Sequence, residues 1–143
     1  MKKRVLRIYE YPLAEGWSIM AGHSDSDNDQ LSLKIARPEE WWFHVRGMPG
    51  SHVILRCPEG AQKEPEKEML KQAAAVAAWH SKARAGGVVA VSCTKAKFIG
   101  KPRGAKPGTV SLRKETVLKV RPGLPAGEVK QKNQQNSDLN TTY

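Results

Sequence analysis

The sequence predicts an α+β fold: a mixed, mostly antiparallel sheet with one long alanine-rich helix, about residues 64–85, packed on one face. Three observations carry that prediction. Short apolar segments with period-two alternation recur between clusters of Gly, Pro, Asn and Asp. A single stretch, EPEKEMLKQAAAVAAWHSKARA, has helical periodicity instead. A chain of 143 residues is long enough for one domain with a real core and too short for two comfortable ones.

Taken in order, VLRIYEY (5–11) and WSIMAG (17–22) read as a first pair of strands around the Pro12 to Gly16 turn. GHSDSDND (22–29) superficially resembles a calcium loop. That pattern needs a glycine in mid-loop and a glutamate at its end, where Asn28 and Leu33 stand, so a surface turn leading into LSLKIA (31–36) is expected. The helix follows after a hairpin at 41–56. Pro65 fits its first turn, Glu66 and Glu68 face the positive end of its dipole, Lys82 and Arg84 the negative end, and Gly86-Gly87 stops it. Met69, Ala73, Val76, Ala77 and His80 fall on one stripe, with His80 expected as a satisfied helix-end histidine. VVAVSCT (88–94) is β-branched and suits a central strand, and VSLR and TVLKVRP are expected to close the sheet. The domain is read as 1–122. Residues 123–143, GLPAGEVKQKNQQNSDLNTTY, are polar and nearly uncharged and read as a disordered tail.

No apolar run approaches the roughly 18 residues of a membrane span, and MKKRVLRIYE lacks the apolar middle of a secretion signal. The expectation is a cytoplasmic protein without a membrane partner. Cys57 and Cys93 are far apart in strand-like surroundings and are expected to be free, buried thiols. Neither a cofactor nor a metal is expected.

The net charge of +10 is unevenly spread. Residues 10–68 hold eleven acids and six bases, or −5, while residues 86–121 hold nine bases and one acid, or +8. Such a patch attracts polyphosphate and weakens with salt. Within it, KAKFIGKPRGAKPGTV lacks the Gly-Lys-Ser/Thr ending of a nucleotide-hydrolase loop. It reads as an irregular loop whose backbone amides, with Lys95, Lys97, Lys101, Arg103 and Lys106, grip phosphates without hydrolysing anything.

The hairpin WWFHVRGMPGSHVILR (41–56) raises the question of register. A two-residue turn at Pro49-Gly50 would mix polar and apolar residues on both faces. A five-residue loop from Gly47 to Ser51, with Arg46 opposite His52 and His44 opposite Ile54, sorts them cleanly. Trp41, Phe43, Val45, Val53 and Leu55 then make a core face. Trp42, His44, Arg46, His52, Ile54 and Arg56 make an exposed face, which mixes cations with an aromatic plane as RNA contacts do.

NDQLSLKIARPEEWWFHVRGMPGSHVILR, the alanine-rich helix, VSCT and KPRGAKPGTV followed by TVLKV, in that order over residues 17–122, resemble the NFACT-R domain. Its multidomain members are similar to ribosome quality-control factors that hold tRNA on a stalled large subunit and promote untemplated tail synthesis, once described as fibronectin-binding proteins. The resemblance implies RNA contact, with tRNA or rRNA, and implies the large ribosomal subunit and separately encoded proteins as partners. It falls on His44, Arg46, Gly47, Pro49, Gly50, Ser51 and His52, and on Lys101, Gly104, Lys106, Pro107 and Gly108. Gly47, Pro49, Gly50, Gly104 and Gly108 are assigned to turn geometry, with Gly50 expected at positive φ. Tail elongation is not implied, because the partner domains of those members are missing from this stretch.

Two other readings compete. A protein-binding adaptor to a ribosomal or quality-control factor would use an exposed Trp42 as its anchor. An enzyme, such as an RNA-modifying subunit, would have to use His44, His52, Ser51 or Cys93, and a Ser51–His52 pair is disfavoured because neighbours on a strand point to opposite sides. A metal site of His44, His52 and Cys57 fails on the same parity.

Overall fold

The computed structural model describes residues 5–58, 60–61, 63–125 and 130–134. Its strands are β1 (Leu6–Pro12), β2 (Ser18–Gly22), β3 (Trp41–Val45), β4 (Val53–Arg56), β5 (Val89–Lys95), β8 (Thr116–Val120) and β9 (Lys130–Gln134), in one sheet of order β8-β5-β3-β4-β2-β1-β9. Every pairing in it is antiparallel. The α+β class and the antiparallel sheet therefore stand, and β5 lies inside the sheet between β3 and β8.

The long helix does not. Helix α2 covers only Lys67–Trp79, so Pro65 and Glu66 precede it and Lys82 and Arg84 lie beyond its end. The chain leaves the helix at His80, well before Gly86-Gly87, because side chains there satisfy the terminal carbonyls: Ser81 Oγ donates to Ala78 O (2.7 Å) and Arg84 Nε to Trp79 O (2.8 Å). The predicted stripe is correct. Met69, Ala73, Val76 and Ala77 are buried against Ile19, Phe43, Val45, Val53, Leu55 and Val91 of the sheet. His80 Nε2 shares a hydrogen bond with the Tyr11 hydroxyl (2.5 Å), and burial pushes its pKa down to about 4.

Three further expectations are corrected. GHSDSDND is not a surface turn: helix α1 (Asp25–Gln30) begins there and runs into a wider helical turn, Leu31–Ile35, closed by Ala36 N–H to Leu31 O (2.9 Å). VSLR does not join the sheet. Ser111–Leu112 (β7) pairs with Ile99–Gly100 (β6) in a separate two-stranded ribbon. Gly50 does not take a positive φ; it is needed because a Cβ there would meet Ser81 Cβ at 2.9 Å, where the two residues bridge.

Helix α1, the Leu31–Ile35 turn and the β6–β7 ribbon form a second layer on the face opposite α2. Leu31 is buried there with Ile8, Met20, Trp42 and Ile54, and Ile35, Ile99, Val110 and Leu112 pack against them. β9 falls within the expected tail and pairs with the outer edge of β1, Ile8 opposite Lys132, so at these five residues the chain departs from that expectation. Residues 126–129 and 135–143 lie outside the described residues.

Candidate nucleic-acid interface

The hairpin register differs from the expected one by two residues: Trp42 pairs with Ile54 and Phe43 with Val53. A shift of two keeps parity, so the residues still sort onto the predicted faces. Phe43, Val45, Val53 and Leu55 are buried under α2, and Trp42, His44, His52, Ile54 and Arg56 share the other side. What the pattern did not reveal is that half of this second face is itself covered.

Under the cover a chain of hydrogen bonds runs through the hairpin. Trp42 Nε1–H donates to Ser32 Oγ (2.8 Å), Ser32 Oγ meets His52 Nδ1 (2.7 Å), and His52 Nε2 lies 3.1 Å from Gly108 O. A carbonyl can only accept, so Nε2 carries the imidazole proton, Nδ1 accepts, and the Ser32 hydroxyl donates to it. Burial, reinforced by the neighbouring His44, pushes the His52 pKa down to about 4, which keeps this neutral arrangement at ordinary pH. Trp42 and His52 are 1% and 2% exposed, so the RNA contact expected of them, and the adaptor's Trp42 anchor, are ruled out by burial.

Helix α1 organises both predicted loops. Ser24 and Asp27 form a capping box that starts it, and Asp27 Oδ1 also accepts from Arg7 N–H (3.1 Å). Asn28 Oδ1 accepts from His52 N–H (3.0 Å). Asp29 receives Gly108 N–H (3.1 Å) on one oxygen and Lys101 Nζ (2.9 Å) on the other. Lys101 also donates to Lys106 O (2.5 Å) and Thr109 O (2.9 Å), so its three donors hold the KPRGAKPG loop together. Gly108, at φ +88°, lies so close to α1 that a Cβ would meet the Asp25 carboxylate at 2.9 Å. Gly47 and Gly104 also take positive φ but have open space around them, which fits turn geometry.

Several predicted contacts serve elsewhere. Arg56 is bonded to the buried Glu40 (2.6 and 2.9 Å) and to Ile35 O. Lys95 and Lys97 both reach Glu39 (3.1 and 2.6 Å), and Lys95 has the parity of Cys93, on the α2 side of the sheet. Ser51 Oγ donates to Gly22 O (2.6 Å), away from the His52 ring. Cys57 and Cys93 are unbonded to each other, and burial raises the Cys93 thiol to about 12.

The other half of the second face is open at its outer part only, since Thr94 and Ser92 of β5 are buried, bonded to Arg113 O and to Glu115. Across β3, β5 and β8 the register places His44, Ser92 and Val117 in one row, and Ala90 opposite Lys119 in the next, where Arg46 N–H bonds Ala90 O (3.0 Å). His44 is half-buried, and that burial lowers its pKa. Arg46 and Lys119 are exposed, as are Val117 (38%) and Val88 (57%). Arg46 Nε lies 3.4 Å from Glu115, which also accepts from Ser92 Oγ. Arg103 and Lys106 are exposed on the loop that His52 ties to this edge and have no acidic partner among the described residues. The structure thus leaves Arg103 and Lys106 exposed on the loop bonded to His52, and places His44 and Arg46 on one part of the face with Ser92, Glu115, Val117 and Lys119, which the sequence reading passed over. Their signal was legible in part: alternation along VVAVSCT puts Ser92 and Thr94 on one side.

The pattern of the family described as NFACT protein RNA binding domain matches residues 7–114. The Rqc2 homolog RqcH of Bacillus subtilis is 35% identical over 118 residues, covering 82% of this chain and 20% of the relative; that of Streptococcus suis is 39% identical over 104 residues, covering 73% and 18%. The chain therefore spans about a fifth of the length of these relatives. The solved structure of the C-terminal part of the fibronectin/fibrinogen-binding protein from Streptococcus suis is similar, with a TM-score of 0.76 and 35% identity over 85% of this chain and 47% of that one.

Proposed function

We propose that this chain, which belongs to the family of NFACT protein RNA binding domains, holds RNA on the open β3–β5–β8 half of its second sheet face and thereby acts in ribosome quality control. tRNA or large-subunit ribosomal RNA is the target, as the resemblance to quality-control factors implies, and the large subunit is the docking partner. The chain is a non-catalytic module at this site. Its place of action is the cytoplasm, and among the described residues no helix is long and apolar enough to cross a membrane.

One observation carries the reading. Of a sheet face whose other half is sealed by a second layer, the outer part carries the exposed Arg46, Lys119 and Val117 beside the half-buried His44 imidazole, and the loop that Gly108 O links to His52 adds the exposed Arg103 and Lys106. Cations that fix a phosphate backbone beside an apolar, aromatic floor that accepts bases are the parts of a single-strand RNA platform. Binding of tRNA, an unrelated duplex and a single strand to the wild type and to Lys119→Gln tests it. The variant should bind all three less tightly while melting at the wild-type temperature. Unchanged affinity for every RNA would remove the face from the binding surface. Crosslinking in cells identifies the RNA: enrichment of tRNA or large-subunit rRNA supports the ribosomal assignment, and enrichment of neither rejects it.

A further inference from the structure

Residues 86–121 contain nine bases and a single acid, and that acid, Glu115, stands on the open face. On a surface that attracts phosphate a carboxylate is unfavourable by simple Coulomb repulsion. The fold nevertheless fixes it. Ser92 Oγ donates to Glu115 Oε2 and Arg46 Nε approaches the same oxygen, whereas Oε1 has no hydrogen-bond partner among the described residues. One oxygen is thus anchored by two donors and the other is left without one, beside the row that His44, the buried Ser92 and Val117 form.

We infer that Glu115 is the base-reading residue of this face, its unpartnered Oε1 accepting the adjacent N1–H and N2 amino donors of a guanine laid beside the His44–Ser92–Val117 row. The inference rests on the RNA-binding reading above. A carboxylate accepts and cannot donate. Guanine is the base whose Watson–Crick edge offers two adjacent donors, N1–H and the N2 amino group. Adenine and cytosine place a ring acceptor beside their amino group, and uracil flanks its N3–H with two carbonyls, so each meets Glu115 with a repulsive contact as well as an attractive one. A phosphate is repelled outright. Arg46 is therefore both a phosphate donor and the group that aims the reader, and the exposed Val117 gives a purine an apolar surface in the same row as the half-buried imidazole of His44.

The test uses uridine tracts carrying one central guanine, one central inosine, which keeps N1–H but lacks the amino group, or neither, measured by fluorescence anisotropy with the wild type and Glu115→Gln. The wild type should prefer guanine to inosine by about tenfold, the discrimination expected of a good paired hydrogen bond. Glu115→Gln should lose that preference and bind the plain uridine tract at least as tightly, since a negative charge has left the face. Equal wild-type binding of guanine and inosine, in a protein that binds all three tracts, overturns this inference and leaves RNA binding intact. A uniform fall in affinity for every RNA in the variant, without a wild-type preference, overturns it too and reduces Glu115 to a support for Arg46. Failure of the wild type to bind any tract removes the RNA reading and this inference with it. The guanine–inosine comparison on the wild type does not depend on the variant folding.

Discussion

The two halves of the second sheet face share strands, alternation and residue types, yet one is sealed and the other open. On β3 alone, Trp42 is buried in hydrogen-bonded company while His44, two residues on, is half-buried, and Arg46, just past the strand's end, reaches solvent. The difference lies in what packs above. α1 and the β6–β7 ribbon cover β4, β2 and the near end of β3, and on β5 Thr94 and Ser92 are buried as well, whereas Val117 and Lys119 of β8 are exposed. Alternation therefore decides which face a side chain joins, but only the presence of a second layer decides whether a polar side chain there builds the fold or meets a ligand.

Removing a pillar of the covered half breaks the comparison most severely. Trp42→Ala deletes a fully buried indole and leaves Ser32 and His52 without one end of their chain, so it should lower stability by about 3–5 kcal/mol, read in denaturant melts. A loss under 1 kcal/mol would mean that the covered half is not a core.

Acid should act on the same half. The His52 pKa falls from 6.5 to about 4 in the folded protein, so between these values the unfolded chain binds more protons than the folded one. Stability is then full above pH 6.5 and is lost as the pH falls toward 4, by about 2 kcal/mol at pH 5 for His52. His80, lowered to a similar value, loses stability in the same window, by less because it is partly exposed. Melting of the wild type and of His52→Gln between pH 7 and 5 checks this: the variant should show the shallower decline, and parallel curves would place the acid sensitivity elsewhere.

The open half should respond in affinity instead. Arg46→Ala removes an exposed guanidinium and should weaken RNA binding by about 1–3 kcal/mol. Its only ionic partner among the described residues is Glu115 on the surface, so stability should move by no more than about 0.5 kcal/mol. Isothermal titration alongside thermal melting separates the two outcomes. Lost stability with unchanged affinity would move Arg46 into the structural half.

How much of this could be read from the sequence follows from the range of each signal. The parity of the 41–56 hairpin was legible because a period-two pattern survives a two-residue error in register, as happened here. The early end of α2 was not, since it depends on Ser81 and Arg84 turning back to cap carbonyls that propensity does not register. The Ser24–Asp27 capping box was written in the sequence but masked by the resemblance of GHSDSDND to an acidic surface turn. Burial of Trp42 and His52 was beyond local reading. It depends on Ser32 and Gly108, 10 and 56 residues away.

The loop offers the finest test of the comparison, because lysines of one motif fall on both sides of it. Lys101 is held by Asp29, Lys106 O and Thr109 O and belongs with the covered half, whereas Arg103 and Lys106 point their charges at no acid among the described residues. Each phosphate contact with single-stranded RNA contributes about 0.7 to the slope of log affinity against log salt. Arg103→Gln and Lys106→Gln should each flatten that plot by about this amount, which is roughly a threefold smaller loss of binding between 50 and 200 mM salt, and should leave the melting temperature in place. Lys101→Gln should do the opposite, lowering stability by about 1 kcal/mol through the lost loop contacts while the salt slope stays near the wild-type value. If Lys101→Gln alone flattened the slope, its ammonium would be exchanging Asp29 for phosphate on binding, and the boundary between the sealed and open halves would move to include the whole KPRGAKPG loop.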